Sequence, residues 1–296
     1  MNWFKRLTRT WRHSHAVPSC CQDPACTPGR RLWRRLCWRR GRIELQGAWY
    51  CAPQCFERAV NQHLSRAAVA VPPRRPQYRI PLGLLLLSRG QLTNRQLRAA
   101  LDEQHASGCV LIGQCLQKLG YVTEQQITAA LAAQWRCPLL PVKTAGTDCH
   151  LLPTRLLEAF RMLPVQFVAT TRVFHLAFSE GVDYGALYAV EQMLNCRTEP
   201  CVISQTAMNE ALARLADKPR SKDILFENRR DWREMARITC GYVLKLGAEY
   251  VRIVACGEFL WVRLSAGHEI ANLLFHLRMT VWDGEEPFHE PQRFAG

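Results

Sequence analysis

The feature that most constrains the fold of this chain is an internal repeat between residues 81 and 134. Two segments, 81–104 and 111–134, carry matching residue types at positions that lie 30 residues apart. The matching pairs are Leu82 and Ile112, Gly83 and Gly113, Leu86 and Leu116, Gly90 and Gly120, Leu97 and Ile127, Leu101 and Leu131, and Gln104 and Gln134. A fixed offset over so many positions indicates a duplicated structural unit.

Each copy of the repeat predicts two helices joined by a tight corner. Gly90 and its counterpart suit the left-handed position that ends a helix. Thr93 then stands at an N-cap, and Gln96 three residues later completes a capping box, which the second copy repeats. Apolar residues follow at the spacing of one helix face. Two such units predict a four-helix group with pseudo-twofold symmetry, in which Gln104 and Gln134 face a shared groove.

The repeat resembles the amino-terminal regulatory domain of type II secretion and type IV pilus assembly ATPases. In that family a leucine-glycine start, a glycine seven residues later, spaced leucines and a terminal glutamine form a tandem motif, with which some members bind cyclic di-GMP. The resemblance covers about residues 78–216. It implies ligand-binding positions at Leu82, Gly83, Leu86, Gly90, Leu97, Leu101 and Gln104 in the first copy, and at Gly113, Leu116, Gly120, Ile127, Leu131 and Gln134 in the second.

Two interpretations of the repeat are open at this point. Members of the family that bind cyclic di-GMP usually begin each motif with arginine, whereas Pro81 and Leu111 occupy those places here. In the first interpretation the module clamps cyclic di-GMP through backbone groups at the glycine corners and through Gln104 and Gln134. In the second interpretation the repeats fold a helical module that docks on a protein partner.

The positive charge of the chain is concentrated in its amino-terminal part. The formal net charge is +14, and residues 1–80 hold 16 Lys and Arg against 3 Asp and Glu. Met1–His15 is either a basic tail or a short amphipathic helix on an anionic membrane. Arg30–Arg42 interleaves seven arginines with aromatic residues, which suits nucleic acid, acidic phospholipid or an acidic protein. Because the sequence shows no signal peptide and no spanning run, we expect a cytoplasmic protein, with the inner face of the membrane as one location.

Six of the 14 cysteines lie between positions 20 and 55. In a reducing compartment such clustering favours zinc over disulfides. Residues 41–49 predict a short hairpin, and the cysteines that follow it enter the start of a helix, as in a treble-clef or zinc-ribbon knuckle. We assign the ligands as Cys26, Cys37, Cys51 and Cys55, with Cys20 and Cys21 as the other candidates for the fourth place. A degenerate finger with free thiols is the alternative.

These signals predict an α+β multidomain chain. The expected parts are a basic Cys-rich arm with a zinc module (1–70), a linker (71–77), a secretion-ATPase amino-terminal-like domain (78–216) with an α/β part at 150–216, a small α+β segment (222–282) and a tail (283–296). In the α+β segment, Trp232–Leu246 predicts a helix, Tyr250–Cys256 and Phe259–Leu264 predict strands, and His268–Trp282 predicts a closing helix.

The sequence contains no GxxxxGK[ST], so it predicts no ATP site and a protein that lacks the ATPase core. We therefore expect a non-catalytic regulatory or adaptor protein that docks on a component of a secretion or pilus machine and binds cyclic di-GMP as a second expectation. The alternative is a zinc-dependent regulator that binds nucleic acid through its basic Cys-rich arm.

Overall fold

The structure is a computed structural model, which describes residues 21–26, 43–69, 79–108, 111–140, 151–216, 222–227 and 231–277. Several predicted features lie outside these residues: the basic stretches Met1–His15 and Arg30–Arg42, Cys20, Cys37, the linker 71–77 and the tail 283–296. Within the described ranges, no helix combines the length and the apolar character needed to cross a bilayer.

The described part of the chain is a mixed α+β structure, as the sequence predicts. Its helices are α1 (Pro53–Val69), α2 (Leu82–Ser88), α3 (Asn94–Ser107), α4 (Ile112–Lys118), α5 (Glu124–Trp135), α6 (Thr154–Ala159), α7 (Tyr184–Leu194), α8 (Gln205–Ala216) and α9 (Trp232–Leu246). Its strands are β1 (Ile43–Leu45), β2 (Ala48–Tyr50), β3 (Met162–Val168), β4 (Val173–Phe178), β5 (Arg197–Val202), β6 (Lys222–Phe226), β7 (Tyr250–Cys256), β8 (Phe259–Ala266) and β9 (Glu269–His276).

Helices α2 to α5 form the predicted four-helix group. Helix α2 contacts α5 in the same way that α4 contacts α3, and α2 also meets α4. Exchanging the two copies of the repeat leaves this pattern of contacts unchanged. The group therefore has the contact pattern of an approximate twofold arrangement.

The α/β unit that follows is a three-stranded sheet in the order β3-β4-β5. Strands β3 and β4 are antiparallel, and β4 and β5 are parallel with α7 as the crossover between them. Strands β3 to β5 and helices α6 to α8 all lie within residues 150–216, which the sequence analysis assigns to an α/β part. Buried residues from both the sheet and the helices, including Phe174 and Met193, fill its core.

The second sheet is built from both ends of the described chain. Its six strands have the order β2-β1-β7-β8-β9-β6. Strand β1 pairs in parallel with β7, with Glu44 opposite Tyr250. Helices α1 and α9 cover one face, while Trp261 and Leu274 on the other face join the core of the α/β unit. The sequence analysis assigns 1–70 and 222–282 to separate domains, whereas the structure places strands from both in one sheet.

The predicted closing helix at 268–282 is wrong over its described part, because Glu269–His276 forms strand β9. Gly267 has φ +57° and turns the chain from β8 into β9. Strand β9 pairs with β8 on one side and with β6 on the other. A central strand that is buried on both faces has a continuous apolar run, which period alone does not distinguish from a buried helix. Strand β6, which the sequence analysis did not predict, completes this edge of the sheet.

A buried polar network fixes the six-stranded sheet against the start of α6. Arg263 Nη1 donates to the carbonyl of Leu151 at 2.7 Å. Asn272 Nδ2 donates to Asp223 Oδ1 at 2.9 Å, and Asp223 Oδ2 accepts the backbone N–H of Thr154 at 3.1 Å. Burial lowers the pKa of Arg263 to about 10, and the nearby Asp223 carboxylate opposes that shift. Polar groups buried this deeply need partners, so the network sets the mutual position of the two sheets.

Candidate functional site

The core of the four-helix group consists of residues that match between the two copies of the repeat. The buried cluster is Leu86 with Leu116, Leu92 with Val122, and Ala100 with Ala130. The members of each pair are 30 residues apart in the sequence. Two predicted ligand positions, Leu86 and Leu116, are fully buried here. Their side chains therefore stabilise the module from within.

The two glycine corners at Gly90 and Gly120 end the first helix of each copy. Both residues are left-handed, with φ +67° and +68°. The N–H of Gly90 donates to the Leu87 carbonyl, and the N–H of Gly120 donates to the Gln117 carbonyl, each at 3.0 Å. In this conformation the two N–H groups close the ends of α2 and α4.

The other two glycines of the motif allow the helices of each copy to approach closely. A Cβ atom on Gly83 would lie 2.6 Å from Cδ1 of Leu97, whereas one on Gly113 would lie 3.3 Å from Cδ2 of Leu82 in the first copy and 3.4 Å from Cγ2 of Ile127. Any larger residue at Gly83 would force the Leu97 side chain to move. The glycine at this position of the motif is thus explained by helix packing, within the copy at Gly83 and also between the copies at Gly113.

Gln104 and Gln134 occupy the same place near the ends of α3 and α5, and both are half-buried. Gln134 Nε2 donates to the carbonyl of Ile80 at 2.6 Å, just before the first copy begins. Val110, which holds the equivalent place before the second copy, lies outside the described residues. The terminal glutamine of the second copy therefore fastens the start of the first.

A guanidinium group lies beside this junction. Arg79 Cζ stands 3.1 Å from the ring centroid of Trp135 and 5.6 Å from that of Tyr184. The two rings lie 6.2 Å apart in a tilted arrangement. Stacking of this kind is a cation–π interaction, which holds the Arg79 side chain against the carboxyl end of α5.

The outer faces of the two copies have different surroundings. Leu131 is 8% exposed and packs with Val202 of β5, whereas its counterpart Leu101 is 39% exposed. Glu124 adds a polar contact on the second copy, because its carboxylate accepts hydrogen bonds from the backbone N–H and the hydroxyl of Thr206, at 2.7 and 2.9 Å. The second copy is thus attached to the α/β unit through a face that the first copy leaves exposed.

Four cysteines converge at the start of α1. The Sγ atoms of Cys21, Cys26, Cys51 and Cys55 all lie within 4.8 Å of one another. Cys26 and Cys51 are 3.3 Å apart and Cys51 and Cys55 are 3.7 Å apart, Sγ to Sγ. A tetrahedral Zn²⁺ with Zn–S bonds of about 2.3 Å places its sulfur atoms about 3.8 Å apart. The four thiols are therefore spaced so that they can hold a metal ion.

Local structure brings these cysteines together. Cys51 directly follows β2, and Cys55 lies in the first turn of α1. The other two flank a tight turn, in which the N–H of Cys26 donates to the Asp23 carbonyl at 3.1 Å. The backbone N–H of Cys51 donates to Cys21 Sγ at 3.4 Å. Two thiols from a turn and two from a hairpin end and helix start make a knuckle-like arrangement.

An ion pair borders the cluster. Arg58, one turn after Cys55, donates from Nε to Asp23 Oδ2 at 3.1 Å and forms a second, shorter contact through Nη2. Its Nη2 also lies 3.6 Å from Cys55 Sγ. The hydrogen bonds from Arg58 lower the pKa of Asp23. Asp23 is therefore ionised and engaged with arginine, which leaves the four sulfur atoms as the ligand set.

The thiols raise one another's pKa values. Contact with Cys51, followed by burial, raises the pKa of Cys26 to about 11. Burial, followed by the Asp23 carboxyl, raises the pKa of Cys55 above its usual range. Thiolates this close repel one another, and a bound divalent cation removes that penalty by coordinating them all.

The structure brings together three of the four predicted metal ligands. Cys26, Cys51 and Cys55 are in the cluster, Cys37 lies outside the described residues, and Cys21 takes the remaining place. The sequence analysis named Cys21 as a candidate. It missed the Asp23–Arg58 ion pair. The signal in the sequence is an acidic residue two positions after Cys21 and a basic residue three positions after Cys55. Elsewhere Cys115, Cys201 and Cys256 are buried, as is common for free thiols, which pack as small hydrophobes.

Comparison with known proteins gives a partial similarity. No family model matches the sequence, and no curated protein matches it. Among solved structures, the chain is similar to MshE with cdg at 26% identity over 46% of this chain and 99% of that chain, with a TM-score of 0.40. It is also similar to the N-terminal domain of XpsE in two crystal forms, at 21% and 24% identity over 45% and 44% of this chain and 92% and 90% of those chains, with TM-scores of 0.36 and 0.29. Each of these similarities covers less than half of this chain.

Proposed function

We propose that this protein is a non-catalytic regulatory or adaptor protein whose four-helix module docks on a component of a secretion or pilus assembly machine. The tandem motif supports the class of partner, because it resembles the amino-terminal domain of the ATPases of such machines. The absence of GxxxxGK[ST] from the sequence supports a role other than that of the motor. Clustered thiols are maintained in a reducing compartment, which supports the cytoplasm as the location.

The observation that carries the docking proposal is the contrast between Leu101 and Leu131. The two residues hold the same position in the repeat, and Leu131 is buried against Val202 of β5. The second copy therefore demonstrates that this face can bind a sheet-containing unit within the same chain. In the first copy the equivalent leucine is 39% exposed and is available to a partner.

Calorimetry tests this proposal. The full chain is titrated with purified cytoplasmic components of the machine, one at a time. We expect Leu101→Asp to weaken binding to the partner by about tenfold or more, which corresponds to at least about 1.4 kcal/mol. Leu244→Asp is the matched control, because Leu244 is a leucine of α9 that is 62% exposed and far along the chain from the repeat. Equal affinities of the two variants for every component that binds would contradict docking through this face.

Cyclic di-GMP is a second candidate ligand of the module, supported by the position of Arg79. This residue brings a guanidinium group to the start of the first copy, where Pro81 replaces the arginine that binding members of the resembled family usually have. Gln104 and Gln134 would hydrogen-bond the guanine edges, each contributing roughly 1 kcal/mol net. Gln134 would exchange its contact with Ile80 for the ligand.

Calorimetry with cyclic di-GMP on the full chain tests this candidate. We expect saturable binding that weakens by about tenfold or more when Gln104→Ala and Gln134→Ala are combined, since two hydrogen bonds of roughly 1 kcal/mol each are lost. Arg79→Ala should weaken binding as well. An absence of binding heat at high ligand concentration would exclude cyclic di-GMP as a ligand of the module and would leave the docking proposal unaffected.

The cysteine cluster supports a second class of function, a zinc-dependent regulator that binds nucleic acid through residues 1–70. Zinc is the metal favoured by four thiolates in tetrahedral spacing. Residues 43–69 contribute two strands to the six-stranded sheet and a helix that packs on it. Deleting the arm would therefore expose the core between this helix and the sheet. Replacing the seven arginines of 30–42 by glutamine is the cleaner test. Salt-dependent binding to DNA or RNA that this variant loses would favour the regulator, and unchanged binding would exclude the segment as the contact.

A further inference from the structure

We propose that Cys21, Cys26, Cys51 and Cys55 form a tetrathiolate zinc site that fixes residues 21–26 over the edge strand β2 of the six-stranded sheet. This ligand set rests on the proposal that the protein binds zinc, and it adds which residues hold the ion and what the ion does. Cys37 has no part in it.

The geometry supports four sulfur ligands from these residues. Their Sγ atoms lie within 4.8 Å of one another, with Cys26 and Cys51 at 3.3 Å and Cys51 and Cys55 at 3.7 Å. Both separations are slightly shorter than the spacing of about 3.8 Å in a tetrahedral zinc–thiolate centre. They are well above the bond length of about 2.05 Å in a disulfide. A small inward or outward movement of each side chain would thus complete the coordination.

Some neighbouring groups offset part of the cost that burial imposes on thiolates at this place. The backbone N–H of Cys51 points to Cys21 Sγ, and the Arg58 guanidinium lies beside Cys55 Sγ. Cys55 also lies in the first turn of α1, where the helix dipole favours negative charge. A centre of one Zn²⁺ and four thiolates carries two excess negative charges, which donors of this kind offset. Arg58 is accordingly a positioning residue rather than a ligand.

The structural role of the ion follows from the position of residues 21–26 beside strand β2. Residues 21–26 contain neither helix nor strand, yet the N–H of Gln22 donates to the Trp49 carbonyl at 3.0 Å along β2. Strand β2 is an edge of the sheet, and exposed edges invite unwanted pairing. Zinc would cross-link this turn to the hairpin end and to α1, closing the chain between Cys26 and Cys51. Because such a loop is costly to order without a cross-link, metal binding becomes folding free energy for this edge.

Metal analysis of the purified full chain tests the ligand set. We expect stoichiometric zinc in the unmodified protein and in Cys37→Ser, the matched control. Each of Cys21→Ser, Cys26→Ser, Cys51→Ser and Cys55→Ser should weaken zinc binding, measured by chelator competition, by more than the roughly 10- to 100-fold expected for loss of an outer contact such as Arg58→Ala. Loss of zinc in Cys37→Ser with retention in Cys21→Ser would overturn the ligand set while leaving zinc binding intact. A protein without zinc after growth in zinc-supplemented medium would overturn both, and iron with visible charge-transfer absorption would overturn the identity of the metal.

Hydrogen exchange before and after chelation tests the task of the ion without any substitution, so it does not depend on whether a cysteine variant folds. We expect the amides of β1 and β2 to lose protection when zinc is removed. The amides of β8 and β9, which lie in the middle of the sheet, should keep theirs. Unchanged protection in β1 and β2 after complete removal of zinc would overturn the structural role.

Discussion

The two copies of the helical repeat have the same interior and different surroundings. Both are closed by the same capping box and the same left-handed glycine, and both contribute equivalent residues to one core. They differ on the face that points away from that core. Leu131 and Ala132 of the second copy are buried against β5, whereas Leu101 and Asp102 hold those positions in the first. Pairs that are buried in both copies thus define the fold, and pairs whose burial differs between the copies indicate how each copy is used.

The largest expected effect tests whether the two copies share one core. Leu86 and Leu116 are both fully buried, so Leu86→Ala and Leu116→Ala should each destabilise the four-helix group by about 2–5 kcal/mol, and by similar amounts. Hydrogen exchange of α2 to α5 measures this local stability in a chain with several structural units. A loss below about 1 kcal/mol in either variant would show that the copies do not contribute equally to one core.

The next effect sharpens the difference between the outer faces. Leu131→Ala should cost about 2–3 kcal/mol, because it opens a cavity between α5 and β5. Leu101→Ala should cost about 1 kcal/mol or less, because that side chain is partly in solvent. The same exchange measurement on α3 and α5 gives both values. Equal costs would contradict the proposed division between a docked and an exposed face.

Much of the four-helix group could be predicted from the sequence because its determinants are local. Thr93 and Gln96 lie three residues apart and form their capping box within one turn. Gly90 ends α2 through a bond to the carbonyl three residues before it. Capping and helix termination depend on neighbours along the chain, so a single sequence contains the information they need.

The six-stranded sheet could not be predicted in the same way. Glu44 and Tyr250 are paired across more than two hundred residues, and no local pattern specifies that β1 adds to β7. The buried strand β9 was assigned as a helix for the related reason that burial on both faces removes the alternation that marks a strand. The cysteine cluster was predictable in kind, since clustered cysteines indicate metal. The choice of Cys21 depends on a turn that only the folded chain positions.

A smaller effect concerns the polar attachment of the second copy. Glu124 accepts two hydrogen bonds from Thr206 at the start of α8, and its counterpart in the first copy is the exposed Asn94. Glu124→Ala should therefore cost about 1–2 kcal/mol, as expected for hydrogen bonds to a charged group at a partly exposed site. Asn94→Ala is the matched control and should change stability by less than about 0.5 kcal/mol. Urea unfolding of both variants measures the difference, and equal midpoints would show that Glu124 does not hold the copy to the α/β unit.

The smallest expected effect tests whether the capping boxes of α3 and α5 stabilise the two copies equally. Thr93 and Thr123 each accept the backbone N–H of the glutamine three residues later at 3.3 Å, and each glutamine returns a contact to the threonine N–H. Thr93→Ala and Thr123→Ala should each cost about 1 kcal/mol, while Thr93→Ser and Thr123→Ser should retain most of the stability because serine caps in the same way. Exchange at the first turns of α3 and α5 reports the two sites separately. If Thr123→Ala costs much less than Thr93→Ala, contact with the α/β unit holds the start of α5 in place of its cap. The docked face would then stabilise the first turn of α5 as well as the contact surface itself.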